Sequence, residues 1–374
     1  MPKHFTWLDG ARGIAALAVM LFHLEDYLHL RPLFRSSFLA VDLFFLISGF
    51  VLAHSYSNKL STKRVGFTDF LLIRLIRLWP TYLIATLLGF CYYLTKSLLE
   101  TDDAPSIIVL TYYLSLNLNF VPMPVDVAPL GGMFPFAPSS WSLSTEMLAS
   151  IVFGTVLFRA PMRFLVAIAV VATVCFLGAA FRSGAFDLGW SFQSFGAGIL
   201  RTLSEVVVGV VLYRAYRAAD VPLRTSSTPL VVAGLGVTAS LMILPSDNPG
   251  LAAAVAYLGY PLFIVLAAST SATPLASRIC GELGRISYPL YLLHAPILLW
   301  VAGTWKLALH QDPGEAGMVA GVTMVVFSLG VSYFVVRFFD EPVREYLKRS
   351  LQKWSARNQA GRSVSHEQHS SIPR

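Results

Sequence analysis

Apolar residues occur in this chain in long, uninterrupted blocks. Stretches such as Phe164–Gly178 and Val319–Phe334 contain no charged side chain. About 20 apolar residues in a helix span the hydrocarbon core of a bilayer. A soluble protein with a large core would need polar faces on such blocks, because its surface helices are amphipathic. The pattern therefore predicts an all-α, polytopic membrane helix bundle.

Eleven apolar blocks are separated by charged or Pro/Gly-rich breaks. They cover residues 11–27, 38–56, 74–95, 106–121, 141–158, 164–181, 192–213, 229–245, 251–270, 286–304 and 316–338. If every block crossed the bilayer, the two termini would lie on opposite sides. The distribution of positive charge argues against that arrangement.

Block 106–121 differs from the others, because it contains Asn117 and Asn119 and runs into a proline-rich stretch. If it is re-entrant or interfacial, most of the 28 Lys and Arg residues fall on one side of the membrane. The positive-inside rule identifies that side as cytoplasmic. We therefore predict about ten transmembrane helices plus one re-entrant or interfacial segment, with both termini in the cytoplasm.

Composition agrees with this topology. The chain is 55% hydrophobic and 13% charged, whereas soluble domains carry roughly 25% charged residues. The net charge of +7 is explained by the cytoplasmic loops, so no nucleic-acid partner is expected. Three isolated cysteines predict neither disulfides nor a metal site. Residues 1–349 are predicted to form the membrane domain, and the polar segment 350–374 a disordered cytoplasmic tail.

His23 is an ionisable residue within the first apolar block, eleven residues after Arg12. At about 100° and 1.5 Å per residue, the two lie on nearly the same helix face, roughly 16 Å apart. Arg12 would then lie at the cytoplasmic end and His23 near mid-membrane. A membrane histidine can simply bond a neighbouring helix, but a neutral imidazole is also suited to general-base chemistry.

Two carboxylates also lie in apolar surroundings, and each has two interpretations. Asp42 follows Val41 in the second block; it can orient His23 as part of a catalytic pair, or clamp two helices together. Glu146 lies in the first turns of the block that begins at Trp141. It can act on the substrate, or it can interact with the helix dipole.

Basic residues provide candidates for phosphate binding. Arg74 and Arg77 are one turn apart at the cytoplasmic start of the third block; they can anchor the helix or hold phosphates by forked hydrogen bonds. Arg201 and Glu205, at i and i+4, are expected to neutralise each other. His294 is either a second active-site group or a packing residue.

Six segments, in order, resemble the membrane-bound acyltransferase family called acyltransferase-3. They are Leu8–Asp9–Gly10 with Arg12 and His23, Val41–Phe50, Arg74–Arg77 with Pro80, Trp141–Glu146, Ser287–His294, and Glu341–Pro342. The resemblance extends from about residue 5 to residue 345.

The resemblance implies transfer of an acyl group, usually acetyl, from cytoplasmic acyl-CoA to a hydroxyl group of a saccharide or glycolipid acceptor. It implies that His23 is catalytic as a base or an acyl carrier, assisted by Asp42 and Glu146, and that Arg12, Arg74 and Arg77 bind the CoA phosphates. It further implies a bacterial inner (plasma) membrane location and no metal. Some members carry an additional esterase-like domain, so this chain is expected to act alone or with a partner.

Two other classes of function also fit many membrane spans. A transporter or flippase of a glycan or lipid-linked precursor would use buried charges without catalysis, although no inverted repeat is visible. A membrane-anchored assembly protein would leave the intramembrane His, Asp, Glu and Arg residues unexplained. An acyltransferase should depend on acyl-CoA, whereas a transporter and an assembly protein should not, so this dependence distinguishes the three classes.

Overall fold

The computed structural model describes residues 4–30, 33–101, 104–124, 130, 132–222, 224, 227–243 and 248–354. These residues form helices and connecting loops, without a strand; a single isolated bridge joins Arg224 and Thr270. Eight of the described helical segments are long and apolar enough to cross a membrane. The predicted all-α, polytopic membrane helix bundle is therefore confirmed.

The α-helices follow the predicted blocks closely. They are α1 (Thr6–Leu28), α2 (Leu39–Ser61), α3 (Phe67–Leu98), α4 (Ile107–Asn117), α5 (Ser140–Val152), α6 (Met162–Ser183), α7 (Phe195–Ala218), α8 (Thr228–Ile243), α9 (Pro249–Ala254), α10 (Tyr260–Ala268), α11 (Pro274–Leu309), α12 (Pro313–Ala316) and α13 (Met318–Val335). π-helical turns extend α5 (Phe153–Leu157), join α9 to α10 (Val255–Gly259) and extend α13 (Val336–Asp340).

Helix α4 is the element that corresponds to the block predicted not to cross. Its 11 residues rise only about 16 Å, roughly half the thickness of the hydrocarbon core. Asn117, at its end, is buried and donates its amide to the carbonyls of Val121 and Met133. These bonds give two carbonyl groups of the irregular backbone a protein partner, so that they are not left unpaired in lipid. A re-entrant or interfacial segment requires such partners.

The last helical segment, Met318–Trp354, continues past the boundary predicted for the polar tail at residue 350. The rest of that predicted tail, residues 355–374, lies outside the described residues.

Helix α1 packs closely against α11 because small residues face the contact. A methyl group on Gly13 would lie 2.5 Å from Cβ of Leu283, and one on Gly10 would lie 2.5 Å from Sγ of Cys280. Small residues of this kind allow the backbones of membrane helices to approach. The contact fixes α1, which carries Arg12 and His23, against the helix that carries His294.

Helices α2 and α7 are joined by a buried ion pair. Arg201 donates from Nε to Oδ1 of Asp42 over 2.9 Å and from Nη2 to Oδ2 over 2.6 Å. Neither side chain is exposed. The other guanidinium hydrogens reach the carbonyls of Phe38 and Leu188, each over 3.1 Å. This forked geometry supplies the hydrogen bonds that a buried guanidinium needs.

This ion pair decides between the two interpretations of Asp42: it clamps two helices together, because both of its oxygens accept hydrogen bonds from Arg201 and neither is directed to His23. The pair also corrects the prediction that Arg201 and Glu205 neutralise each other, since the Arg201 side chain is directed to Asp42. Neither oxygen of Glu205 has a hydrogen-bond partner in the described part of the chain. The forked contact between α2 and α7 satisfies Arg201 more fully than a neighbour on its own helix can.

We predict that Asp42→Asn destabilises the fold, because it removes one charge from a buried pair. Breaking such a pair costs about 3–5 kcal/mol, so the thermal unfolding midpoint of the purified protein in detergent should fall clearly. Asp26→Asn is the matched control: Asp26 is exposed and forms no ion pair with another residue that the structure describes. A stable Asp42→Asn protein that had lost only its activity would instead support the catalytic role first predicted for Asp42.

Candidate functional site

Two adjoining cavities lie among the first turns of α1 and α3 and the neighbouring parts of α2, α5 and α11. Their volumes are about 390 Å³ and 490 Å³. Both are lined by the six residues His4, Asp9, Arg12, Arg77, Glu146 and Tyr288. We treat them as one site and call it the arginine-lined cavity.

Glu146 and Arg74 form the fixed part of this cavity. Nη2 of Arg74 donates to Oε1 of Glu146 over 2.6 Å, and the Ser48 hydroxyl donates to the same oxygen over 2.7 Å. Nε of Arg74 also donates to the Ser150 hydroxyl over 3.3 Å. Because Arg74 is only 3% exposed, these bonds hold three helices, α2, α3 and α5, around one charged pair.

Arg77 and Arg12 are less committed to protein partners. Arg77 lies one turn beyond Arg74 on α3 and lines both parts of the cavity. It forms no hydrogen bond and no ion pair within 4.0 Å with another described residue, and it interacts with Glu146 at longer range. Among the described residues, the one carboxylate that forms an ion pair with Arg12 is that of Asp9, at 3.8 Å. Two guanidinium groups are therefore directed toward an open volume, as an anionic ligand would require.

The polar part of the cavity contains further arginines from α11 and the helix after α13. They are Arg278, Arg285 and Arg344. Arg285 is already bound to Glu341 over 2.7 Å and to Glu282 over 3.0 Å. The donor set suits phosphate oxygens, and the residues described contain no cluster of three His, Cys, Asp or Glu side chains arranged for a metal ion.

A separate cavity of about 740 Å³ surrounds His23, and we call it the His23 cavity. Its wall contains eight Phe, Tyr and Trp residues, Trp141 and Trp190 among them, and it includes the carboxylates Asp26 and Asp187. Among the described residues, none forms a hydrogen bond with the His23 ring. A ring nitrogen of His23 is thus available to a ligand, which is the first requirement for a general base.

His23 is held by a second histidine, which the sequence alone left without a role. The ring of His294 stacks on that of His23, with centroids 5.1 Å apart and planes 25° apart. Nδ1 of His294 lies 3.0 Å from the carbonyl of Leu290, and because a carbonyl only accepts, this nitrogen carries a hydrogen. His294 is fully buried, so it fixes the orientation of the His23 ring.

Tyr291 and Val41 line both cavities and so form the wall between them. The Tyr291 hydroxyl shares a hydrogen bond of 2.9 Å with Ser142 on α5. Its ring also contacts Phe44, at 5.2 Å between centroids, and Phe44 lines the arginine-lined cavity. The two cavities therefore approach each other at one aromatic side chain.

The structure divides the candidate residues between two places. Arg12, Arg74, Arg77 and Glu146 all line the arginine-lined cavity, and His23 lines the other. Asp42 lines neither and forms the clamp with Arg201.

Sequence reasoning missed several residues of the site. Ser48, Ser142 and Tyr291 occur in the segments that carry the family resemblance. Their place in those segments is the feature of the sequence that could have identified them. Asp187 lies in a loop with no pattern, and only the fold brings it to the cavity. Trp190, in the same loop, is recognisable from the sequence as an aromatic residue near the outer end of a span, which could either stack on a sugar or belong to an interfacial aromatic belt.

Comparison with known proteins agrees with these features. A family model described as an acyltransferase domain matches residues 5–337. The chain is 37% identical over 186 residues to protein 2 in the picA locus of Rhizobium radiobacter, which covers 48% of this chain and 96% of that protein. No solved structure shows significant similarity to the chain.

A second relative is the O-acetyltransferase OatA of Staphylococcus aureus. It is 21% identical over 373 residues, covering 92% of this chain, in strain NCTC 8325 / PS 47 and equally in strain COL. The chain spans 58% of the length of that relative. With a family model that matches most of its residues, the chain belongs to the acyltransferase-3 family and is a multi-pass membrane acyltransferase.

Proposed function

We propose that this enzyme is an O-acyltransferase that takes an acetyl group from acetyl-CoA bound in the arginine-lined cavity. The acetyl group passes to a hydroxyl group of a carbohydrate or glycolipid acceptor in the His23 cavity. The proposal rests on these two cavities: the arginine-lined cavity is basic, the His23 cavity is rich in aromatic residues, and they share the wall formed by Tyr291 and Val41.

The donor assignment rests on charge. CoA carries several phosphate charges and cannot enter lipid without compensation. Arg12 and Arg77 have guanidinium groups directed to the arginine-lined cavity, and Arg74 is fixed beside them by Glu146. We assign Glu146 to this positioning role, because its carboxylate is bonded to Arg74 and Ser48 and does not line the His23 cavity.

The choice of acetyl and of a hydroxyl acceptor is supported by the relative named as an O-acetyltransferase. The aromatic wall of the His23 cavity also suits a sugar ring, since ligand sites combine apolar faces with a few polar groups.

In the proposed reaction His23 acts as a general base at the wall between the cavities. Its free ring nitrogen takes the proton of the acceptor hydroxyl while that oxygen bonds to the thioester carbonyl carbon. The C–S bond then breaks, and the thiolate leaves with the proton that His23 returns. His294 keeps the His23 ring in one orientation through the stacked contact. A base is favoured over an acyl carrier because His23 lines the acceptor cavity.

We expect Arg77→Gln to weaken binding of acetyl-CoA to the purified protein by at least about tenfold. A charged hydrogen bond to phosphate contributes about 1.5–3 kcal/mol, and Arg77 interacts with Glu146 only at longer range, without an ion pair within 4.0 Å to a described residue. Isothermal titration calorimetry measures the change. Arg163→Gln, an exposed arginine in the first turn of α6, is the matched control. Equal affinities for the two variants would reject the donor site.

His23→Ala should bind acetyl-CoA with unchanged affinity but transfer acetyl groups at least about 100-fold more slowly, because general-base catalysis contributes roughly 10²–10⁴-fold. Mass spectrometry of the acceptor and release of CoA measure transfer. Retained transfer at normal expression would end the assignment. Radiolabelled acetyl-CoA without acceptor tests the alternative role: a base leaves the protein unlabelled, whereas an acyl carrier retains label that His23→Ala abolishes.

We further propose that the enzyme lies in the inner (plasma) membrane, with both termini in the cytoplasm and the arginine-lined cavity on the cytoplasmic side. An alkaline phosphatase fusion after Asp126, which lies outside the described residues, should then be active, because that enzyme requires the oxidising exterior. A fusion after Arg163 should be inactive. Cytoplasmic placement of the Asp126 fusion would overturn the topology.

A further inference from the structure

The two cavities differ in the sign of the charge on their walls. Arginines dominate one, whereas the described residues that line the His23 cavity include two carboxylates, Asp26 and Asp187, and neither Lys nor Arg. Charge in a cleft selects ligands of opposite charge and disfavours ligands of the same charge. This contrast limits which acceptors can enter.

Asp26 keeps its charge available to the cavity. It lies one helical turn after His23 on α1, so both side chains are on the same helix face. Asp26 is exposed, and within the described ranges no basic side chain forms an ion pair with it. An anionic group bound beside His23 would therefore lie close to this carboxylate.

Asp187 is only partly compensated. Its Oδ1 lies 3.6 Å from Nη1 of Arg201, and its side chain is 38% exposed. Of its two carboxylate partners, Arg201 lies closer to Asp42, to which it donates over 2.6 and 2.9 Å. One guanidinium is thus shared between two carboxylates, which leaves negative charge on the side that faces the cavity.

The loop that carries Asp187 and Trp190 is held in place by Gly189. Its φ of +123° is accessible to glycine, and a methyl group there would lie 2.5 Å from Cζ3 of Trp141 and 2.8 Å from Cα of Gly198. The amide of Gly189 also donates to the Ser194 hydroxyl over 3.0 Å. The loop therefore packs against the cavity wall and keeps the carboxylate and an indole ring at the cavity.

We propose that the His23 cavity selects acceptor sugars by charge, taking neutral or amino-bearing units and disfavouring units with a carboxylate or phosphate. The selection rests on the proposed function, in which this cavity holds the acceptor. It also keeps the phosphates of the acyl donor out of the acceptor cavity, so that each substrate is directed to its own side of Tyr291.

Three methyl glycosides with the same ring test this selection. Methyl β-D-glucopyranoside is neutral, methyl β-D-glucosaminide is cationic, and methyl β-D-glucuronide is anionic. Saturation-transfer NMR on the full chain in nanodiscs measures their affinities without requiring turnover. The wild-type protein should bind the glucuronide at least about tenfold more weakly than the other two, as expected for like charges in a partly buried site.

Asp26→Asn/Asp187→Asn should reduce that difference to about threefold or less, and Asp26→Asn alone should reduce it partly. Glu315→Gln is the control, because Glu315 is an exposed carboxylate in α12 that does not line the cavity; it should leave the difference unchanged. Circular dichroism and the thermal midpoint confirm folding. If the double variant fails to fold, the single variant at exposed Asp26 decides.

Equal affinity for all three glycosides, no binding of any, or a difference that the Asp variants do not alter would each overturn the proposal. Acetyl transfer to the glucoside is measured separately by mass spectrometry. Charge-selective binding without transfer would leave this proposal standing and contradict the proposed function. Acetyl transfer to the glucoside with equal affinities for the three glycosides would contradict this proposal and leave the proposed function standing.

Discussion

An ionised side chain inside an apolar helix bundle must meet an opposite charge or a water-filled cavity, because leaving it unpaired costs several kcal/mol. This constraint sorts the unusual residues of the chain into two groups. Asp42 and Arg201 form a forked ion pair that connects α2 to α7. Arg12 and Arg77 instead face a cavity, where an anionic ligand can compensate them. The first group maintains the bundle, and the second provides binding capacity.

The same constraint explains why His23 can occupy its position. Imidazole is neutral in one of its two states near physiological pH, so it can lie in an apolar helix without a counter-charge until a reaction supplies a proton. The buried ring of His294 stacks against it and restricts its orientation. Binding of the acyl donor is thus assigned to the start of α1, near Arg12, and the reaction to its end, near His23.

Much of this arrangement could be predicted from the sequence. The apolar blocks gave the fold class and the long helices, because the length of a span is set by the bilayer. Helical phase placed Arg12 and His23 on one face of α1, and both line cavities. The pairing of Asp42 could not be predicted, because the choice between His23 and Arg201 depends on which helices are neighbours. Sequence spacing similarly suggested a pair of Arg201 with Glu205, but a forked contact across helices satisfied Arg201 better. The contribution of Asp187 and Trp190 depends on how a loop folds back over Trp141.

A cryo-electron microscopy structure of the enzyme with a non-hydrolysable thioether analogue of acetyl-CoA would show whether acyl donor and acceptor occupy opposite sides of Tyr291. We expect density for the phosphates beside Arg12 and Arg77, with the acyl end against Tyr291 and toward His23. Density for the CoA moiety within the His23 cavity, or phosphates remote from both arginines, would rule out this arrangement of the two substrates.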